Sequence, residues 1–96
     1  MKQIFGKTVD GTETVIYMPS QHPYFDIWLK NTDTKAVTAK IITPVKVDGV
    51  VENVVENTVD LAVGASDATQ YAGLFAERQL VIETTGKVAV AIYAED

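Results

Sequence analysis

Apolar and polar residues alternate with a period of two along most of the chain. Leu80 and Ile82 alternate with Gln79, Val81 and Glu83, and Val88, Val90 and Ile92 alternate with Ala89, Ala91 and Tyr93. Alternation of this kind, rich in β-branched residues, marks a half-buried strand. Between the two runs, Thr84-Thr85-Gly86 predicts a reversal, with Gly86 in a left-handed conformation closing a type I turn plus bulge.

The same pattern recurs upstream. Gln3 to Val9 reads as a first strand weakened by Gly6, Asp10-Gly11 as a two-residue hairpin turn, and Thr12 to Met18 as the return strand. Pro19 to Pro23 is a loop, because prolines cannot donate to a ladder. Tyr24 to Lys30 is a strong strand with Phe25, Ile27 and Leu29 on one face and Tyr24, Asp26 and Trp28 on the other. Asn31 to Thr34 is turn chemistry, since short polar side chains bond their own backbone there. Lys35 to Thr43 returns, Pro44 implies an edge or a bulge, and Asp48-Gly49 offers a second hairpin turn. Val50-Val51-Glu52-Asn53 is then repeated as Val54-Val55-Glu56-Asn57; its four valines are poor helix material, so a strand bulged near Val54-Val55 is expected. Gly64 to Phe75 is the one non-β candidate: a short helical turn near 66–75 capped by Ser66 or Asp67, or a long loop pinned by Leu74 and Phe75.

The elements add up to a single all-β domain over residues 1–96, a small antiparallel sandwich or barrel of the jelly-roll or immunoglobulin-like kind with seven or eight strands. A parallel sheet would need helical crossovers, and the pattern contains none. The expected core is Ile16, Phe25, Ile27, Leu29, Ile41, Val59, Leu61, Leu80, Ile82, Val88, Val90 and Ile92. Tyr17, Tyr24, Trp28, Tyr71 and Tyr93 are left outside it.

Composition narrows the function more by exclusion than by indication. The chain has no cysteine, which removes a disulfide framework and any thiolate metal site, and fits a reducing compartment. Its single histidine, His22, removes a His-rich metal cluster. A net charge of −5 with singly scattered Lys and Arg argues against nucleic acid and against anionic membranes. No apolar run approaches the roughly 20 residues of a membrane span, and the N-terminal segment does not read as a signal peptide. The expected location is the cytoplasm, or a particle assembled there.

Candidate chemistry is sparse. There is no Gly-x-Ser-x-Gly elbow and no glycine-rich phosphate loop. His22 lies four residues before Asp26 with no third group to orient it, so it reads as a solvated loop residue. Glu52, Glu56 and Asp60 match no oxygen-ligand loop for calcium and read as a solvated face. No enzyme activity, cofactor or metal is expected. The best constellation is Tyr24-Asp26-Trp28, which shares one strand face. Two aromatics around a carboxylate suit a protein interface or stacking on a sugar ring; otherwise Trp28 belongs to the core and Phe25, Ile27 and Leu29 face outward.

From Thr58 the chain reads Thr-Val-Asp-Leu-Ala-Val-Gly-Ala-Ser, and it closes with Leu-Val-Ile-Glu-Thr-Thr-Gly-Lys-Val-Ala-Val-Ala-Ile-Tyr. This ending resembles that of small tailed-bacteriophage virion proteins, of the capsid-decoration or head–tail-junction type. There a strand ending in Leu-x-x-Gly-x-Ser leads to a final hairpin around Thr-Gly. The resemblance covers the C-terminal part only. It implies a non-catalytic structural protein in a virion assembled in the host cytoplasm, a homo-oligomer or a partner of other virion proteins, with no catalytic residues. The alternative is a carbohydrate-binding module using Tyr24, Asp26 and Trp28.

Overall fold

The computed structural model describes residues 2–18, 24–72 and 78–94, and among them it has no helix. The all-β expectation holds as a six-stranded antiparallel sheet, curled around one core, in place of the seven or eight short strands expected. The strands are β1 (Lys2–Met18), β2 (Tyr24–Asn31), β3 (Val37–Val47), β4 (Val50–Leu61), β5 (Ser66–Ala72) and β6 (Arg78–Ala94).

Two of the expected hairpins do not exist. β1 runs through Asp10-Gly11, and β6 runs through Thr84-Thr85-Gly86. The two strands pair with each other along their whole lengths, Lys2–Asp10 against Lys87–Ala94 and Thr12–Met18 against Arg78–Glu83. Gly11 and Thr84 to Gly86 absorb the mismatch between these runs. Gly11 has φ 104, the left-handed value expected of a turn glycine, but it serves a bulge instead. Gly86 is not in a left-handed conformation. A Cβ built on it would lie 2.6 Å from Asp33 Oδ2 and 2.6 Å from Val37 Cγ1, so the glycine is there to admit the β2–β3 loop.

That loop divides the sheet. β1 follows one side of β6 throughout, and the other side is shared between β3, paired to Val81–Thr84, and β2, paired to Val88–Ala94. In the gap the ladder bonds are replaced by side chains. The Gly11 N–H donates to Thr84 Oγ1 at 3.0 Å, the Thr38 N–H to Thr85 Oγ1 at 2.8 Å and the Lys87 N–H to Asp33 Oδ2 at 2.9 Å. Two wings therefore leave β6, one of β2 and β5, the other of β3 and β4. Buried Asn31 ties them together: its Nδ2 donates to the carbonyls of Lys35, Leu61 and Ala62, and its Oδ1 accepts from the Asp33 N–H.

The core matches the expected set closely. Phe25, Ile27, Leu29, Ile41, Leu61, Leu80, Ile82, Val88, Val90 and Ile92 are buried, and Val59 is partly buried against them. The side chain of Ile16 lies outside the described residues, as do the Pro19–Pro23 loop with His22 and residues 73–77. Tyr71 is a correction. It is buried in the core because Ser66–Ala72 is a strand, not a helical turn or a loop, and its register sets Tyr71 opposite Phe25. Its hydroxyl accepts from Asn57 Nδ2, joining β5 to β4, and burial raises its pKa above the ordinary tyrosine value. The turns on β4 follow their sequence. Asp48-Gly49, at φ 50 and 81, is the expected two-residue type I′ hairpin. Gly64, at φ 76, closes a turn with the Ala65 N–H on the Ala62 carbonyl. The expected bulge falls at Glu56, between the pairs Ile41–Asn57 and Ile42–Val55. Pro44 sits beyond the last residue of β3 that pairs with β6, where a missing N–H breaks no ladder.

Two outcomes follow for the divided sheet. Gly86→Ala should destabilise the fold by about 1–3 kcal/mol by overpacking against Asp33 and Val37, and Asn31→Ala by about 2–3 kcal/mol by orphaning buried carbonyls; unchanged urea midpoints would contradict both. The backbone N–H groups of Lys87 and Thr34 hold the Asp33 carboxyl below its ordinary pKa. Its contribution is therefore complete above the unfolded carboxyl pKa and is lost as pH falls through the lower folded value. Asp33→Asn should flatten the acid limb of a stability–pH curve, and an unaltered limb would contradict the assignment.

Candidate functional site

The period-two geometry of β2 decides which side chains reach solvent. Phe25, Ile27, Leu29 and Asn31 are buried, which turns Tyr24, Asp26, Trp28 and Lys30 outward. The face reading of Tyr24-Asp26-Trp28 thus holds geometrically, and Trp28 is not core: it is 50% exposed and Tyr24 42% exposed. For a side chain as apolar as tryptophan this is a large unpartnered area.

The neighbours of Trp28 explain its prominence. It lies opposite Ala68 on β5 and Ala91 on β6, so no bulky side chain flanks it across the strands. Lys30 likewise faces Ser66 and Ala89. The indole rises from a floor of small residues and separates two open hollows. One, of about 410 Å³, is lined by Asp26, Trp28, Ala91 and Tyr93. The other, of about 440 Å³, runs past Trp28 to Lys30 and to Lys7 and Thr8 of β1. The indole therefore has a carboxylate on one side and ammonium groups on the other.

Tyr93 is the residue that sequence reasoning left unassigned here. The register sets it directly opposite Asp26, which makes it the second aromatic wall of the first hollow. Its signal was the run Val88-Ala89-Val90-Ala91-Ile92-Tyr93, whose outward positions are two alanines and a tyrosine. That β6 lies beside β2 could not be read from the run.

Aromatic planes and a carboxylate on one face can stack and accept hydrogen bonds. Among the described residues, no three His, Cys, Asp or Glu side chains are grouped to hold a metal. Glu52, Glu56 and Asp60 form no such group; Asp60 accepts from the Thr38 hydroxyl at 2.8 Å. No helix is long and apolar enough to cross a membrane among the described residues. Comparison of the chain with family models, with curated proteins and with solved structures finds no match.

Trp28 contributes to the surface rather than to the fold, so Trp28→Ala should shift the urea midpoint by less than about 1 kcal/mol. In the separated monomer, its fluorescence should be quenched readily by acrylamide, as expected of a half-exposed indole. A large loss of stability, or a shielded indole in the monomer, would return Trp28 to the core.

Proposed function

We propose that this chain is a non-catalytic interaction protein that works by protein–protein contact, a component of a tailed-phage virion in a decoration or neck position. The observation that carries the contact reading is Trp28, half exposed on a sheet face that also carries Tyr24, with Tyr93 lining the hollow beside it. Tyrosine and tryptophan supply large contact areas at low entropy cost, and such a patch is what an interface desolvates. The virion placement rests on Leu61-Ala62-Val63-Gly64-Ala65-Ser66, which forms the turn from β4 into β5. The Thr84-Thr85-Gly86 part of the resemblance lends no support, since it is a bend within β6 and not a hairpin.

A carbohydrate site is the second reading, favoured by the carboxylate of Asp26 in the hollow between Trp28 and Tyr93. The two readings separate on one fluorophore, because Trp28 is the only tryptophan. Under the contact reading, light scattering gives a mass above the 10.4 kDa monomer, Trp28 becomes shielded from acrylamide as concentration rises, and Trp28→Ala lowers the mass while the β spectrum persists. Titration with mono- and oligosaccharides then leaves the emission unchanged. A Trp28 that stays accessible to acrylamide at every concentration, with a saturable, sugar-dependent emission change, would overturn the contact reading in favour of the sugar site.

A further inference from the structure

Beyond Ile42, β3 has no strand partner but β4; Thr43 is still buried, and from Pro44 the hairpin Pro44–Val47 and Val50–Asn53 projects as a two-stranded arm. The β3–β4 pair exposes Val47, Val50, Val51, Val54 and Val55, and Val51 is the most open of them at 63%. Its outer edge, along β4, carries no described strand. The other free edges are guarded. β1 is interrupted by three register shifts and carries the Lys7–Glu13 ion pair, and β5 is only seven residues long. From Val50 to Val55 β4 has no lysine, proline or bulge.

The direction of the hydrogen-bonding groups on this edge is fixed by the turn. Val47 and Val50 flank a two-residue hairpin and form a hydrogen-bonded pair, after which bonded and non-bonded pairs alternate. Val50, Glu52 and Val54 therefore turn their N–H and C=O groups toward β3. Val51, Asn53 and Val55 turn theirs to the open side. We infer that this edge pairs antiparallel with the same edge of a second copy, about a two-fold axis through Asn53.

Symmetry and charge select that register. Antiparallel neighbours related by a two-fold axis require one residue to meet itself. An axis at Glu52 opposes two Glu52 carboxylates, and an axis at Val54 opposes Glu52 to Glu56; like charges directly opposite are destabilising. An axis at Val51 runs the strand off the Asp48-Gly49 turn, and one at Val55 runs it into the Glu56 bulge. An axis at Asn53 sets Asn53 against Asn53 and Val51 against Val55 of the second copy, twice. All the outward N–H and C=O groups of the three residues are then bonded, and Glu52 lies opposite a valine. The repeated Val-Val-Glu-Asn is what makes this match: it places valines symmetrically around Asn53.

This contact is separate from the Trp28 face and does not depend on it. The chain has no cysteine, so single cysteines report it cleanly. Residues meeting as a hydrogen-bonded pair have Cα atoms about 5.5 Å apart, within disulfide range. Val51 is about 13 Å along the strand from its own symmetry mate, out of range. Asn53→Cys should therefore give a covalent dimer under mild oxidation, and Val51→Cys should give no covalent dimer. Both results should persist in a Trp28→Ala background. Asn53→Pro removes only outward N–H groups, two bonds per dimer, and should weaken dimerisation by about tenfold or more with the β spectrum retained. An uncrosslinked Asn53→Cys protein would overturn the proposal, as would Val51→Cys crosslinking equally well or crosslinking that disappears with Trp28.

Discussion

The bend in β6 at Thr84 to Lys87 is the constraint from which the rest of the architecture follows. A strand that stayed straight there would carry β2 and β3 on one continuous edge, where the chain between them could not fit. The β2–β3 loop is wedged into the gap, where the Thr32 N–H bonds the Lys87 carbonyl and three other backbone N–H groups find side-chain acceptors. Thr84 receives the Gly11 N–H, Thr85 the Thr38 N–H and Asp33 the Lys87 N–H. These donors are part-buried or exposed, so each bond contributes about 0.5–1.5 kcal/mol rather than a full burial penalty. Gly86 completes the arrangement by having no side chain where Asp33 and Val37 lie.

The division has consequences for the surface. In one wing β2 pairs with both β5 and β6, and the outward Trp28 lies opposite an alanine on each of them. The indole is exposed because its cross-strand neighbours are too small to cover it. The other wing outruns β6. Past Ile42, β3 and β4 have only each other as strand partners; Thr43 is still buried, and Val47, Val50, Val51, Val54 and Val55 reach solvent. An exposed aromatic face and an exposed β-branched edge are two different kinds of contact surface. The first offers area and the second offers unpaired backbone groups.

Period two was legible in nearly every strand, and with it the core from Phe25 to Ile92 and the shared outward face of Tyr24, Asp26 and Trp28. Turn chemistry was less dependable. Asp48-Gly49 is a type I′ hairpin as its sequence suggests, yet Asp10-Gly11 sits in a bulge. The left-handed freedom of glycine suits either use, and a partner strand more than 70 residues away chooses between them. Thr84-Thr85-Gly86 was misread for the same reason: its threonines are bonded to β1 and β3, and its glycine yields space to a loop. Alternation in Ser66 to Ala72 is diluted by small and polar residues, so the strand became visible only through its pairing with β2. Tyr93 joined the candidate site by the same non-local route.

Amide hydrogen exchange tests the dividing bend most directly. The N–H groups of Gly11, Thr38 and Lys87 each donate to a side chain at the bend. All three should exchange as slowly as neighbouring ladder amides in β6, and Thr84→Ala should release Gly11 alone among them. Rapid exchange at all three positions in the unmodified chain would contradict a sheet held open by these bonds.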